Sequence, residues 1–177
     1  MARVEVLAPA DYAAAVPALA EVLSACVESG AGVSFMQPFP PEAAARFWQG
    51  LVPRVAEGSI VVLAAYDGER LNGTVQLQLV QMPNQPHRAE VAKLLVHPAA
   101  RRPGVAEALM RRLEAEALAR DRRLLTLDTA GEEADRLYRR LGYTAVGIIP
   151  GYALWPTGSY SDTTVFYKWL TEPRPRL

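Results

Sequence analysis

Residues 88–109 read RAEVAKLLVHPAARRPGVAEAL. The first ten form the most hydrophobic run in the middle of the chain and predict a strand. The stripe of Ala106, Leu109, Met110, Leu113 and Ala117 predicts a helix over 104–120. Between them Pro98, Pro103 and Gly104 end one element and start the next, with Arg101 and Arg102 in the joint. LLTLDT at 124–129 then predicts a second strand. Strand, helix and strand with short joints imply a crossover between parallel strands, and such crossovers are right-handed. The unit 88–129 is therefore expected to be parallel.

Working outward, SIVVLAAY at 59–66 and the run 71–82 read as strands joined by DGER, with Asp67 and Gly68 at the corner of a hairpin. Nearer the N-terminus a short strand at 4–7 precedes a helix running to about Ser29, capped by Asp11, with Val16, Leu19, Ala20, Leu23 and Val27 on one face. GAGVSFM at 30–36 is a loop. Pro38, Pro40 and Pro41 then lead into a second helix through Ala56 that carries Phe47, Trp48 and Leu51. Toward the C-terminus a helix at 132–141 passes through Gly142 into strands at 143–149 and 162–170, and TEPRPRL at 171–177 is expected to fray. With no internal repeat or linker, 1–177 reads as one mixed α/β domain.

Composition narrows the function classes. Lys+Arg and Asp+Glu stand at 19 each, so no net field draws the chain to nucleic acid or to an anionic membrane, and any anion site must be local. The basic residues are nearly all arginine; Lys93 and Lys168 are the only lysines. Cys26 is the only cysteine, which rules out an intrachain disulfide and suits a reducing, cytoplasmic setting. The longest strongly apolar stretch, IVVLAAY at 60–66, is too short to span a bilayer, so a soluble protein is expected. His87 and His97, the only histidines, have no second ligand type at metal spacing, and no metal is expected.

The joint itself has a chemistry. A helix starting near Gly104 leaves its first amide N–H groups without intrahelical partners, and its dipole puts partial positive charge there. Such an end binds phosphate. Gly104 allows close backbone approach, Val105 and Ala106 form a narrow first turn, and Arg101 and Arg102 can add charge-assisted hydrogen bonds. Solvated arginines in an arginine-rich chain are the plainer alternative. The glycines of a dinucleotide fingerprint and the Gly-Lys-Ser/Thr of a Walker loop are both missing. What remains is R-x-x-G-x-A at a strand-to-helix turn.

VHPAARRPGVAEALM resembles the signature of the GNAT superfamily of acyl-CoA-dependent N-acyltransferases, and AGEEADRLYRRLGY at 130–143 resembles its second signature. GAGVSFM, MPN at 82–84, RAEVAKLLVHPAAR, LLTLDT and PGY at 150–152 are similar to the tabtoxin-resistance type of acetyltransferase, over nearly the whole chain. The resemblance implies a mostly antiparallel sheet of six or seven strands flanked by helices, and acetyl-CoA as cosubstrate with its pyrophosphate in the R-x-x-G-x-A turn. It further implies that the backbone of Leu94, Leu95 and Val96 meets the thioester and pantetheine, and that Tyr138 is the general acid for the departing thiolate. Two departures stand out. Pro103 has no N–H to give, and Gly131 stands where many members have an asparagine.

Acyl transfer to an amine also needs a base, because an alkylammonium with a pKa near ~10 must lose a proton. Glu90, opening the strand, and Asp128, at the C-terminal end of the next parallel strand, are the candidates. Burial of Glu90 would raise its pKa toward a useful value. A solvated strand-edge carboxylate and a turn residue are their plainer readings, and a core aromatic is that of Tyr138. Phe35, Met36 and Tyr152, with Trp48 and Trp155, are candidates to line an acceptor pocket. The favoured function is N-acetylation of a small-molecule amine, amino-acid-like and toxin- or antibiotic-like in the resembled type. A protein or peptide N-terminal acetyltransferase and a non-catalytic acyl-CoA sensor remain as alternatives, and a homodimer is left open.

Overall fold

The computed structural model describes residues 3–101 and 104–171. In chain order the elements are β1 (Arg3–Val6), α1 (Pro9–Glu28), α2 (Pro41–Gln49), α3 (Val52–Ala56), β2 (Ile60–Asp67), β3 (Arg70–Leu79), β4 (Arg88–Val96), a 3₁₀ turn at Pro98–Ala100, α4 (Val105–Ala119), β5 (Leu124–Thr129), α5 (Glu132–Arg140), β6 (Thr144–Leu154) and β7 (Tyr160–Trp169). The seven strands form one sheet in the order β1-β2-β3-β4-β5-β7-β6. Every neighbouring pair is antiparallel except β4 with β5. This is the mostly antiparallel sheet with one parallel unit that the sequence predicts.

Strand β2 is apolar without interruption because helices cover both of its faces. Ile60, Val62 and Ala64 pack with α1, α2 and α3, while Val61, Leu63 and Ala65 pack with α4. The 530 Å³ groove between α1 and α2, lined by Pro17, Ala20, Ser24 and Pro41 among others, lies in the first of these layers, away from the strand-to-helix joint. Contrary to the expectation that 60–66 is the longest strongly apolar stretch, α1 is long and apolar enough, by length and composition, to cross a membrane. Half of it is buried, with Leu19, Leu23 and Val27 fully inside, as befits a core helix.

The feature that creates a site is an opening inside the sheet. β4 and β5 pair only at Arg88↔Leu124, Ala89↔Leu125 and Glu90↔Thr126. Beyond that point β4 stays with β3 as far as Val96, and β5 stays with β7 as far as Thr129, so the two strands part. A β-bulge bends β4 at the same place: Gln76 pairs with Ala92 but Thr74 with Leu95, so Val75 faces Lys93 and Leu94 together. Lys93 takes φ +51°.

Several boundaries differ from expectation. α1 starts at Pro9, with extended Ala8 as its N-cap, so Asp11 lies in the first turn and does not cap; proline at the first helical position sets the start. The single helix expected through Ala56 is two, parted at Gly50 and Leu51, with Pro53 opening α3. β3 stops at Leu79. β6 runs on to Leu154, so PGY is strand, and β7 begins at Tyr160. Residues 172–177 of the expected frayed tail lie outside the described residues.

Candidate active site

At the mouth of α4, Gly104 adopts φ +102° and ψ −16°. A Cβ there would meet nothing within 4 Å, so left-handed backbone, not crowding, demands the glycine. Gly73 is the converse: its Cβ would stand 3.1 Å from the Leu95 carbonyl oxygen and 3.2 Å from Leu109, so glycine lets α4 lie tight on β3. The first bond of the helix runs from the Ala108 N–H to the Gly104 oxygen at 2.8 Å. The N–H groups of Val105, Ala106 and Glu107 precede it, and among the described residues no side chain caps them. Glu107 turns instead to Arg111 at 2.7 Å and Arg140 at 3.7 Å. Free amides beside open space, at a positive helix end, fit a diphosphate.

Arg101 does not aim at that mouth. Its guanidinium donates to the Ser29 hydroxyl at 3.1 Å, just past the C-terminus of α1, where the negative end of the helix dipole favours a cation. Arg102 and Pro103 lie outside the described residues. Cys26 donates to the Val96 oxygen at 3.3 Å, and burial pushes its thiol up against the opposing pull of Arg101. It is an inert core thiol.

The mouth opens toward the gap between β4 and β5. In an antiparallel ladder successive residues bond to opposite sides. Counted back from the His97 N–H bonded to Asn72, this alternation turns the Val96 amide toward β5, while Leu95 pairs with Thr74 of β3 and Leu94, inside the bulge, has no register partner on β3. Across the gap, Leu125 and Leu127 of β5 join the core under α4, so Thr126 and Asp128 lie on the opposite face. Glu90 shares that face, because its neighbours Ala89 and Val91 enter the same core.

Glu90 is not buried as expected. Its side chain is 49% exposed and accepts from Arg88 Nη1 at 2.8 Å, and the same Nη1 donates to Thr126 Oγ1 at 2.9 Å. Glu90 stands on the sheet face away from α4, at the last residue where β4 and β5 pair, within reach of the arginine two positions before it on the same strand. Asp128 is exposed and, among the described residues, its side chain accepts one neutral hydrogen bond, from Thr163 Oγ1 at 3.2 Å. Tyr138 is the buried residue of α5, its ring against Tyr143 and Phe166. Its hydroxyl forms no hydrogen bond among the described residues. Burial, and after it the charge of Asp128, holds this phenol well above its ordinary value.

The expected pocket residues divide. Phe35 is half-buried, 4.5 Å from the ring of Phe39 and 5.2 Å from that of Phe47. Met36 is 44% exposed at the end of the same loop. Trp48 is fully buried and belongs to the core, because amphipathic α2 turns it inward. Tyr152 stands on the outermost strand, 56% exposed, since the long β6 carries it to the sheet edge. Trp155 does close on the loop: a Cβ on Gly32 would lie 3.0 Å from its ring, and Gly131 lies against the ring's far edge. The bond from Gln37 N–H to the Pro156 oxygen at 3.0 Å ties loop to hairpin.

Lys93, one of only two lysines in the chain, also enters the site. Lys93 Nζ donates to Ser34 Oγ at 3.2 Å and lies 5.6 Å from the Phe35 ring and 5.8 Å from that of Phe47. Burial lowers its pKa and the Asp128 charge works against that fall. The available signal was compositional: a lysine in a chain that otherwise uses arginine marks a place where a compact ammonium is wanted. Among the described residues no cluster of three or more His, Cys, Asp or Glu could hold a metal ion.

Residues 21–143 match the model of the acetyltransferase (GNAT) family. The chain belongs to that family. GNAT membership makes it an acetyl-CoA-dependent N-acetyltransferase, and the seven-stranded sheet is the GNAT fold. Solved GNAT structures align along the whole chain. One is yncA of Salmonella typhimurium, with its cofactor acetyl-CoA (TM-score 0.77, 19% identity, 99% of this chain and 98% of that one). A second is the ribosomal-protein-alanine N-acetyltransferase of Brucella melitensis (0.77, 22%, 94% and 99%). A third is aminoglycoside 6'-acetyltransferase type Ii (0.71, 18%, 98% and 99%). At these identities the likeness is one of fold.

Proposed function

We propose that this GNAT protein moves the acetyl group of acetyl-CoA to the primary amine of a small molecule, by direct attack in the gap between β4 and β5. One observation carries the reading. The gap leads from the free amides of α4 past the Leu94 and Val96 N–H groups to Asp128, with Tyr138 electrostatically coupled to that carboxylate. Acetyl-CoA supplies the activated acyl group and a thiolate leaving group. The N–H groups of Val105, Ala106 and Glu107 hold the diphosphate, with Arg102 and a reoriented Arg101 adding charge. The amide of Leu94, freed by the bulge, donates to the developing oxyanion. Asp128 takes the proton from the acceptor ammonium, directly or through water; Glu90, engaged by Arg88, positions and screens. Tyr138 keeps its proton until the sulfur needs it.

The relatives' names differ in acceptor on one fold, so the acceptor follows from the pocket. Trp155 packed over Gly32 bounds the acceptor end, which supports a small molecule, including an amino-acid-like toxin or antibiotic, over an extended peptide. The proton-handling groups support an enzyme over an acyl-CoA sensor. A cytoplasmic setting agrees with a lone, buried, reduced Cys26. The uncharged outer strand β6, with Val146 and Ile148 two-thirds exposed, supports a homodimer, which sedimentation at micromolar protein tests. Thiol release from acetyl-CoA with a panel of primary amines tests the activity. Turnover of a small amine is expected; tight coenzyme A binding without release for any amine would make the protein a sensor.

A further inference from the structure

Three residues other than glycine take positive φ among the described residues: Ser34 at +78°, Lys93 at +51° and Asp121 at +56°. Strained backbone of this kind collects where function holds it in place. Ser34 and Lys93, 59 positions apart in the chain, hydrogen-bond to each other at the acceptor end of the gap. Lys93 has no carboxylate within ion-pair distance among the described residues, whereas Lys168, the other lysine, is clamped by Glu114 at 2.8 Å. The direct partners of Lys93 among the described residues are a hydroxyl and two aromatic faces, and the Asp128 charge acts from beyond ion-pair distance, so its desolvation is offset only in part and an anion at closer range would complete it.

We infer that Lys93, steadied by Ser34, is the subsite for a carboxylate on the acceptor, so that the acceptor is a free amino acid or a close analogue. The inference rests on the acetyltransferase reading and deepens it. Asp128 on β5 suits the ammonium of such a zwitterion, and Lys93 on the β4 bulge suits its carboxylate; the molecule then lies across the gap with its amine near the Leu94 amide. Gln76 lies on the same sheet face, paired with Ala92 and thus beside Lys93; it is fully buried and its Nε2 has no hydrogen-bond partner among the described residues. A second donor is thereby within the neighbourhood of the anion. Polycations are disfavoured by the same charge, and a peptide N-terminus offers a neutral carbonyl where the lysine wants an anion.

The test compares matched acceptors by thiol release: methionine, leucine, phenylalanine and glutamate, each beside its primary amide and its decarboxylated amine. The wild-type protein is expected to prefer at least one amino acid over its carboxylate-free partners by about tenfold or more in kcat/KM, the scale of one charge-assisted hydrogen bond. Lys93→Gln should erase that preference through KM, Lys93→Arg should keep part of it, and Ser34→Gly, which suits the positive φ, should weaken it. No preference in the wild type, turnover confined to amines without a carboxylate, or an equal loss on every acceptor in Lys93→Gln would overturn the subsite and leave the acetyltransferase standing. Absence of turnover with every amine would overturn both.

Discussion

Tyr138 shows how one residue serves two demands. Its ring fills the core between Tyr143 and Phe166, while its hydroxyl has no hydrogen-bond partner among the described residues and its proton is held tightly by burial and by Asp128. Tyr138→Phe keeps the ring and removes only the acid, so kcat should fall by roughly 10²-fold, with coenzyme A affinity by calorimetry within about twofold. Equal turnover would return Tyr138 to a packing role. The raised pKa has a sign to check. A phenol held above its ordinary value of 10 keeps its proton as pH rises, so the kcat profile should show no descending limb from this group up to about pH 10. A limb below that pH which disappears in Tyr138→Phe would contradict the burial argument. The two carboxylates separate on their partners: Asp128→Asn should lower kcat by about 10²–10⁴-fold, and Glu90→Gln, already paired with Arg88, by at least tenfold less. The reverse ranking would make Glu90 the base.

At the scale of elements, the α4 mouth depends on one backbone conformation. Gly104→Ala has room for its methyl but not the φ, and should cost about 1–2 kcal/mol of stability in denaturant titration while retaining most coenzyme A affinity. Gly104→Glu adds bulk and negative charge at the same point and should weaken coenzyme A at least tenfold; unchanged affinity would mean the diphosphate sits elsewhere. This joint was legible in the chain because its signals are local: a β-rich run, a glycine and an amphipathic stripe follow one another. The same holds for the parallel unit and for Tyr138 on its helix stripe. The β4 bulge was not legible, since it is a matter of register between strands, and it decides where Leu94 and Lys93 point. Nor was the bond of Arg88 to Thr126, which holds its guanidinium beside Glu90, or the bond of Arg101 to Ser29, because each joins elements that only the fold brings together. The break between α2 and α3 and the length of β6 were set by packing that overrides local preference.

For the whole molecule, the gap between β4 and β5 has a cost: a sheet that parts in its middle forgoes ladder hydrogen bonds on both inner edges. A ligand lying in the gap replaces them, as an added strand does in other sheets. Coenzyme A should accordingly bind the folded state alone and stabilise it by mass action. At a free concentration 100 times its Kd the gain is about 2.7 kcal/mol, which for a chain of this length raises the thermal midpoint by about 5–10 °C. The two halves of the binding path can then be separated by fragments in the same thermal experiment. Adenosine 3'-phosphate 5'-diphosphate keeps the diphosphate but lacks the pantetheine arm, and at equal free concentration it should raise the midpoint less than coenzyme A, because its Kd is weaker when the Leu94 and Val96 amides stay unpaired. In Gly104→Glu the shift from coenzyme A should collapse toward zero. A shift that survives this substitution, or that is as large with the fragment, would mean that the parted strands are not where the cosubstrate lies.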